Sequence, residues 1–90
     1  MIKLIQVFPL SNFRLKLVFS DHSWGEFDFK PTLQRTGSLL EPLQDPVFFV
    51  SYFVEMGALC WPNGLEFSAE SLHKKLLESN ELHESDQQAA

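Results

Sequence analysis

The sequence has few of the residues from which disulfides, metal sites and phosphate-binding loops are built. It contains a single cysteine, Cys60, in 90 residues, so it forms no intrachain disulfide, whereas a small secreted domain usually carries an even set. Its four glycines are isolated and make no phosphate-binding loop. Because no catalytic signature is present, we expect a protein that is not an enzyme and that needs no cofactor or metal.

Long apolar segments are also missing. The start, "MIKLIQVFPL", lacks a basic region followed by a long apolar stretch and a small-residue cleavage site. The longest apolar run, "PVFFVSYFVEM", is far shorter than the roughly 18 to 20 residues that span a bilayer. These absences predict a cytoplasmic protein that does not enter the membrane.

Basic charge is in short supply. Lysine and arginine number 7 against 12 aspartates and glutamates, which gives a net charge of −5. Nucleic-acid binding draws its affinity from basic side chains that displace counterions, so the charge disfavours it. An alternative nucleic-acid surface would combine Lys3, Arg14 and Lys16 with Tyr52 as a stacking platform. The excess of acid lies from Glu66 onward, which favours a small basic protein as partner.

What is present is the pattern of one small domain. The runs "FRLKLVF" and "WGEFDF" each alternate apolar and polar residues about the turn "SDHS", which predicts a β-hairpin. Keeping both apolar sets on the core side pairs Leu17 with Phe27 and sets Lys16 opposite Asp28. An earlier strand, "IKLIQVF", ends at Pro9.

The second half of the chain predicts a connection, strands and a helix. Prolines and a glycine after Pro31 indicate a connection with short helical turns, the last beginning at Asp45-Pro46. A strand is expected from about Val50, then a turn at "EMG" and a strand at "ALCW". Ser68 is placed to cap a helix whose apolar stripe is Ala69, Leu72 and Leu76.

The whole pattern predicts an α+β fold. We expect a small antiparallel sheet of about five strands, a short helical connection and one C-terminal helix. Residues 1–78 form this single domain, and the polar residues 79–90 are expected to be a disordered tail.

The run "VFFVSYFV" raises the question of self-association, because it is uncharged and apolar on both faces. One short helix cannot cover both sides of a sheet. We therefore expect Phe48 to Val54 to lie at the centre of the sheet, with leftover apolar surface forming a two-fold dimer contact.

Three short stretches carry chemically interesting side chains. "CWPNG" suits a β-turn, with Cys60 a small buried hydrophobe, since nothing nearby would lower its pKa. "SDHS" suits a turn rather than a catalytic triad, and His73 and His83 are expected to be solvated. Glu26 and Asp28 lie two residues apart on one strand face and are a weak candidate for a cation or acid-base pair.

The order of three motifs resembles a small bacterial family known only as a domain of unknown function. The motifs are "FSDHSWGEFDF", "LLEPLQDPVFF" and "WPNGLEFSAESL", which match an F-x-D-G turn, an L-x-D-P-x-x-F segment and a W-P-N-G-x-D close. His22 replaces the usual glycine of the first motif, Glu66 the usual aspartate of the last, and Ala69 its proline. The resemblance implies an antiparallel sheet with a C-terminal helix. It also implies kinship with proteins fused to helix-turn-helix domains or paired with small toxin-like proteins.

These observations leave two hypotheses of function. The first is a non-enzymatic protein-interaction or regulatory module, such as an antitoxin-like protein, because tryptophan at a turn is typical of interfaces. Its candidate interaction residues are Trp24, Trp61, Asn63, Asp28 and Asp21. The alternative is a small-ligand or metal-binding domain, or an enzyme, that uses Glu26, Asp28 and the region around Trp61.

Overall fold

The computed structural model describes residues 1–84. Within them the chain forms strands β1 (Leu4–Pro9), β2 (Arg14–Phe19), β3 (Ser23–Asp28), β4 (Phe53–Glu55), β5 (Ala58–Cys60), β6 (Glu66–Phe67) and β7 (His83–Glu84). The helices are α1 (Lys30–Leu33), a 3₁₀ helix (Glu41–Gln44), α2 (Pro46–Phe49) and α3 (Ala69–Glu78). The predicted α+β class is confirmed, with the short helical connection and the C-terminal helix in the expected order.

The strands form two antiparallel sheets instead of a single sheet of about five strands. The first sheet has the order β1-β2-β3-β7 and the second the order β4-β5-β6. The sheets meet where the backbone N–H of Leu4 donates to the carbonyl of Gly57 at 2.9 Å. Near the other end of β1, the Tyr52 hydroxyl donates to the Val7 carbonyl at 3.4 Å. The second sheet therefore lies against the outer edge of β1.

The β2–β3 hairpin has the predicted faces but a different register. Leu15 lies opposite Phe27 and Lys16 opposite Glu26, so the predicted pairing of Leu17 with Phe27 is wrong by two residues. The reason is the turn, which spans only 20–22 and is closed by a hydrogen bond from the His22 N–H to the carbonyl at position 19. Hydrophobic alternation constrains only the parity of the pairing, whereas the turn length sets the register.

His22 has a φ of 72°, which explains why glycine is the residue of the resembled motif at this position. A short hairpin loop of this kind ends in a left-handed residue, and this conformation costs a residue with a Cβ more than it costs glycine. His22 is exposed and makes no hydrogen bond through its ring within residues 1–84. The departure from the motif therefore keeps the turn geometry at some cost in stability.

Helix α3 covers the core side of the first sheet as predicted. The Ser68 hydroxyl accepts a hydrogen bond from the Ser71 N–H at 3.1 Å and caps the helix. The predicted stripe of Ala69, Leu72 and Leu76 is buried. This stripe packs into one core with the apolar side chains of β1, β2 and β3 and with the rings of Phe29, Phe49 and Trp61.

The apolar run 47–54 is divided between two elements. Asp45 caps α2 by accepting the Val47 N–H at 3.0 Å, which confirms the predicted helical turn. The strand that follows is β4, which within residues 1–84 lies at the edge of the second sheet and pairs with β5. The expectation that Phe48 to Val54 lies at the centre of a sheet is therefore wrong. The first half of the run lies in α2, where Phe49 is buried, and the second half lies in β4. The run shows no single period because it contributes to two different elements.

Strand β7 was not expected from the sequence. After α3, Asn80 adopts a φ of 60° and the chain turns back, with the Glu81 N–H donating to the Leu76 carbonyl at 2.9 Å. His83 and Glu84 then pair with Trp24 and Ser23. Two residues are too short to show a period, so this strand depends on the edge that β3 offers. The remainder of the predicted tail, 85–90, lies outside the described residues.

Within residues 1–84, no helix has the length and apolar character required to cross a bilayer.

Replacing Gly25 by alanine should destabilise the protein by about 1 to 3 kcal/mol, because the core above it is already full. A Cβ at Gly25 would lie 2.8 Å from the Glu81 carbonyl oxygen and 2.9 Å from Leu76 Cδ1, and the first of these atoms belongs to the backbone. Urea denaturation measures the loss. Glu26→Ala, on the exposed face of the same strand, is the control and should cost much less. Equal costs for the two variants would contradict the close packing of α3 on β3.

Candidate functional site

Trp61 is a core residue. Its side chain is 1% exposed, and its indole N–H donates to the Phe49 carbonyl at 2.9 Å. The rings of Phe29, Tyr52 and Phe67 pack edge-on against it with centroids 5.9 to 6.3 Å away. Trp61 was named from the sequence as a candidate interaction residue, but its burial leaves no surface for a partner.

The "CWPNG" stretch is a turn, as predicted. The Gly64 N–H donates to the Trp61 carbonyl at 3.0 Å, and Gly64 has a φ of 95°. Asn63 serves this turn, because its side-chain oxygen accepts the Leu65 N–H at 3.2 Å. Its side-chain amide donates to the Leu39 carbonyl at 3.0 Å. Asn63 thus ties the turn to the connection before the 3₁₀ helix.

Cys60 behaves as the small buried hydrophobe that the sequence predicted. Burial raises the pKa of its thiol, and the carboxylates of Glu66 and Glu55 raise it further. A thiol is nucleophilic only as the thiolate, so these surroundings make Cys60 unreactive.

The hairpin turn 20–22 joins a network that reaches α3. One carboxylate oxygen of Asp21 accepts hydrogen bonds from both the N–H and the hydroxyl of Ser23. The other oxygen lies 3.0 Å from Nε2 of His73, whose ring packs edge-on against Phe19. Burial raises the pKa of the Asp21 carboxyl, but the hydrogen bonds from Ser23 and the contact with His73 outweigh it, so the pKa lies below its usual value. The ionised carboxylate therefore holds the turn to the helix.

This network brings serine, aspartate and histidine together without making a catalytic triad. In a triad the serine hydroxyl donates to the histidine, which accepts its proton. Here the hydroxyl of Ser23 donates to Asp21, and Ser23 is 3% exposed. The sequence predicted a solvated His73, but its side chain is only 18% exposed. A separation of 52 residues between Asp21 and His73 offered no signal for this contact.

Glu26 and Asp28 lie on the exposed face of β3 with partners of their own. Arg14 Nη2 donates to Glu26 at 3.1 Å, and the Asp28 carboxylate accepts the Lys30 N–H at 3.0 Å. No group of three metal-ligating side chains occurs within residues 1–84. A cleft of about 280 Å³ adjoins Asp28, but Lys75 and Glu81 line it and Trp61 does not. The two halves of the alternative ligand site are therefore not brought together.

Trp24 lies on the same face and already has contacts within the chain. Lys16 Nζ is 4.7 Å from the centre of its ring, and the ring of His83 is 4.5 Å away. The sequence predicted a solvated His83, whose side chain, although exposed, is packed on Trp24. In the alternative nucleic-acid surface, Arg14 forms an ion pair with Glu26. Tyr52, the predicted stacking platform, is partly buried against Trp61. The face thus lacks the proposed stacking platform.

The second sheet has an exposed face that the sequence did not single out. Cross-strand pairing places Phe53, Cys60 and Glu66 in one row, and Glu55 opposite Ala58 on the same side. We call these five residues the β4 face. Phe53 is 42% exposed, and both glutamates are exposed. The apolar run 47–54 indicated that apolar surface would be left over in this region. The position of the run in the sheet could not be predicted from the pattern.

One protein family matches the chain. Its model covers residues 4–77, from the first residue of β1 into the last turn of α3. The chain belongs to the DUF2442 family. The family is described as a protein of unknown function, which confirms the predicted resemblance to a domain of that kind. No curated protein and no solved structure matches the chain.

The DUF2442 match covers most of the described structure. It includes both sheets apart from β7, together with the Asp21–His73 contact and the turn that holds Trp61. Strand β7 and its contact with Trp24 lie beyond the matched residues. The β4 face lies within them.

Replacing Asp21 by asparagine should destabilise the protein at neutral pH by about 1 to 2 kcal/mol, because a charged acceptor is lost. The pKa of Asp21 is lower in the folded state than in the unfolded state. Its stabilisation is therefore complete above the unfolded pKa and is lost as the pH falls through the folded one, below about pH 4. Asp21→Asn should flatten this acid limb in urea denaturation at several pH values. Asp28→Asn is the control, and an unchanged acid limb in Asp21→Asn would refute the prediction.

Proposed function

We propose that this DUF2442 protein is a non-enzymatic interaction module that binds a small basic protein in the bacterial cytoplasm. An antitoxin-like or regulatory role is the form of this function that the sequence resemblance suggests. The single observation that carries the proposal is the exposed apolar surface of the β4–β5 hairpin.

The β4–β5 hairpin exposes three large apolar side chains. Phe53 is 42% exposed, Val54 39% and Met56 92%. Met56 also has a φ of 53°, which holds its side chain at the tip of a tight turn with Gly57. Apolar side chains that are grouped and solvent-facing are typical of surfaces that bind other proteins. Large, rigid side chains such as Phe53 supply much of the energy at such surfaces.

The charge of the protein supports a basic partner. The net charge is −5, and opposite charge accelerates encounter and excludes acidic partners. The contacts of Ser23, Asp21 and His73 support a non-enzymatic role, since they hold the hairpin to α3 and activate no nucleophile.

Affinity purification from the native host should recover one small basic protein in stoichiometric amount. Phe53→Ser should reduce this recovery severalfold, because it removes the exposed aromatic side chain of the hairpin. Leu77→Ser is the matched control, since Leu77 is 59% exposed on α3, away from the hairpin. Absence of any stoichiometric partner, by quantitative mass spectrometry at low and moderate salt, would refute the proposal.

We also propose a two-fold dimer, as the sequence predicted, through an apolar surface separate from the β4–β5 hairpin. Val47 is 77% exposed and Val50 51%, and Val50 borders a cleft of about 350 Å³ that Leu10 and Pro46 also line. An uncharged surface can meet its own copy without repulsion. Sedimentation equilibrium should show a dimer that Val50→Ser dissociates. A monomer at high concentration would show that no such contact forms.

A further inference from the structure

We infer that the β4 face is the docking surface of this protein and that it receives an arginine- or lysine-bearing segment of the partner. The inference rests on the proposed function and names the surface and the chemistry of the contact.

We call the strip of the β4 face between Phe53 and Glu66 the trough, because small side chains lie between larger ones. Neighbouring strands lie about 4.8 Å apart, so Phe53 and Glu66, on either side of Cys60, are separated by roughly 10 Å. The floor between them is made of small side chains, Ala58 and Cys60, each 9% exposed. Phe53, Glu55 and Glu66 rise around this floor. One extended side chain fits between them.

The charges at the trough favour a cation. Glu55 and Glu66 both lie near enough to raise the pKa of Cys60, which places their fields over the same floor. Neither forms an ion pair within residues 1–84, where the ion pairs are Arg14–Glu26 and His73–Asp21. The sheet therefore offers an aromatic ring beside two carboxylates that have no basic partner in the described chain.

Basic groups also lie beside the trough. Lys3 lines the adjoining cleft of about 200 Å³ together with Met1, Glu66 and Glu70. Its aliphatic carbons pack along the backbone of Gly57. With Glu55, the three carboxylates of this region outnumber Lys3 and the amino group of Met1, so the surface remains acidic.

An arginine satisfies every group that the β4 face presents. Its planar guanidinium stacks on an aromatic ring and donates paired hydrogen bonds to a carboxylate. Lysine satisfies the same charges with less directional contact. A purely apolar segment would leave the carboxylates of Glu55 and Glu66 desolvated and unpaired. A second copy of the chain in the same place would bring like charges together across the two-fold axis.

In the test, the whole chain is titrated with a short peptide of alternating arginine and valine. Binding is measured from the NMR shifts of the backbone amides. The amides of β4, β5 and Glu66 should shift. Glu55→Gln and Glu66→Gln should each weaken binding about two- to fivefold, as expected for exposed charge pairs. Glu41→Gln removes the same charge from the exposed 3₁₀ helix and should leave the affinity unchanged. Lys3→Gln should strengthen binding.

Four outcomes would overturn the inference. Shifts confined to the first sheet would place the site elsewhere, and equal weakening by Glu41→Gln would reduce the effect to net charge. Equal binding of a peptide with glutamate in place of arginine would refute the cationic occupant. If the native partner is recovered undiminished with the Glu55→Gln/Glu66→Gln variant, the docking surface is wrong and the interaction module stands. If no native partner is recovered at all, the proposed function fails, and the peptide titration still decides what the β4 face binds.

Discussion

The hydrogen bond from the Trp61 indole to the Phe49 carbonyl is the contact on which the arrangement of the two sheets depends. It joins the end of β5 to the end of α2 in a region where both partners are buried. A buried indole N–H without a partner would be costly, so this contact fixes how the connection lies against the second sheet. Phe29 and Phe67 pack on the same tryptophan, which ties the first sheet and β6 to it. Residues that lie inside this cluster are buried, and those it leaves outside remain exposed to solvent.

The position of the β4 face follows from that core. Leu59 is fully buried on one side of β5, so Ala58 and Cys60 lie on the opposite side of the second sheet, with Phe53 in the same row. The sheet is short, and within residues 1–84 α3 packs on the first sheet at Gly25 and reaches the second sheet only through its first turn, beside Glu66. Phe53 is therefore exposed, because α3 is already packed against the first sheet. An aromatic residue that the fold leaves uncovered beside two carboxylates is the basis of the proposed interaction.

Several parts of the structure were predictable because they depend on neighbours in sequence. The alternation of β2 and β3, the cap at Ser68 and the turn before Gly64 are local patterns, and the structure confirms each. The pairing of Leu15 with Phe27 was not predictable, because alternation allows any shift by two residues. The contact of Asp21 with His73 was missed because it joins a hairpin to a helix far along the chain.

The sequence by itself determined the family, the α+β class, the faces of the strands and the acidic charge, because composition and short periods encode them. Tertiary structure alone decided which tryptophan is buried, that the apolar run 47–54 divides between α2 and an edge strand, and that β7 adds to β3. These features depend on which elements compete for the same core. An apolar pattern states that a residue can be buried, whereas the packing of the other elements decides whether room remains for it.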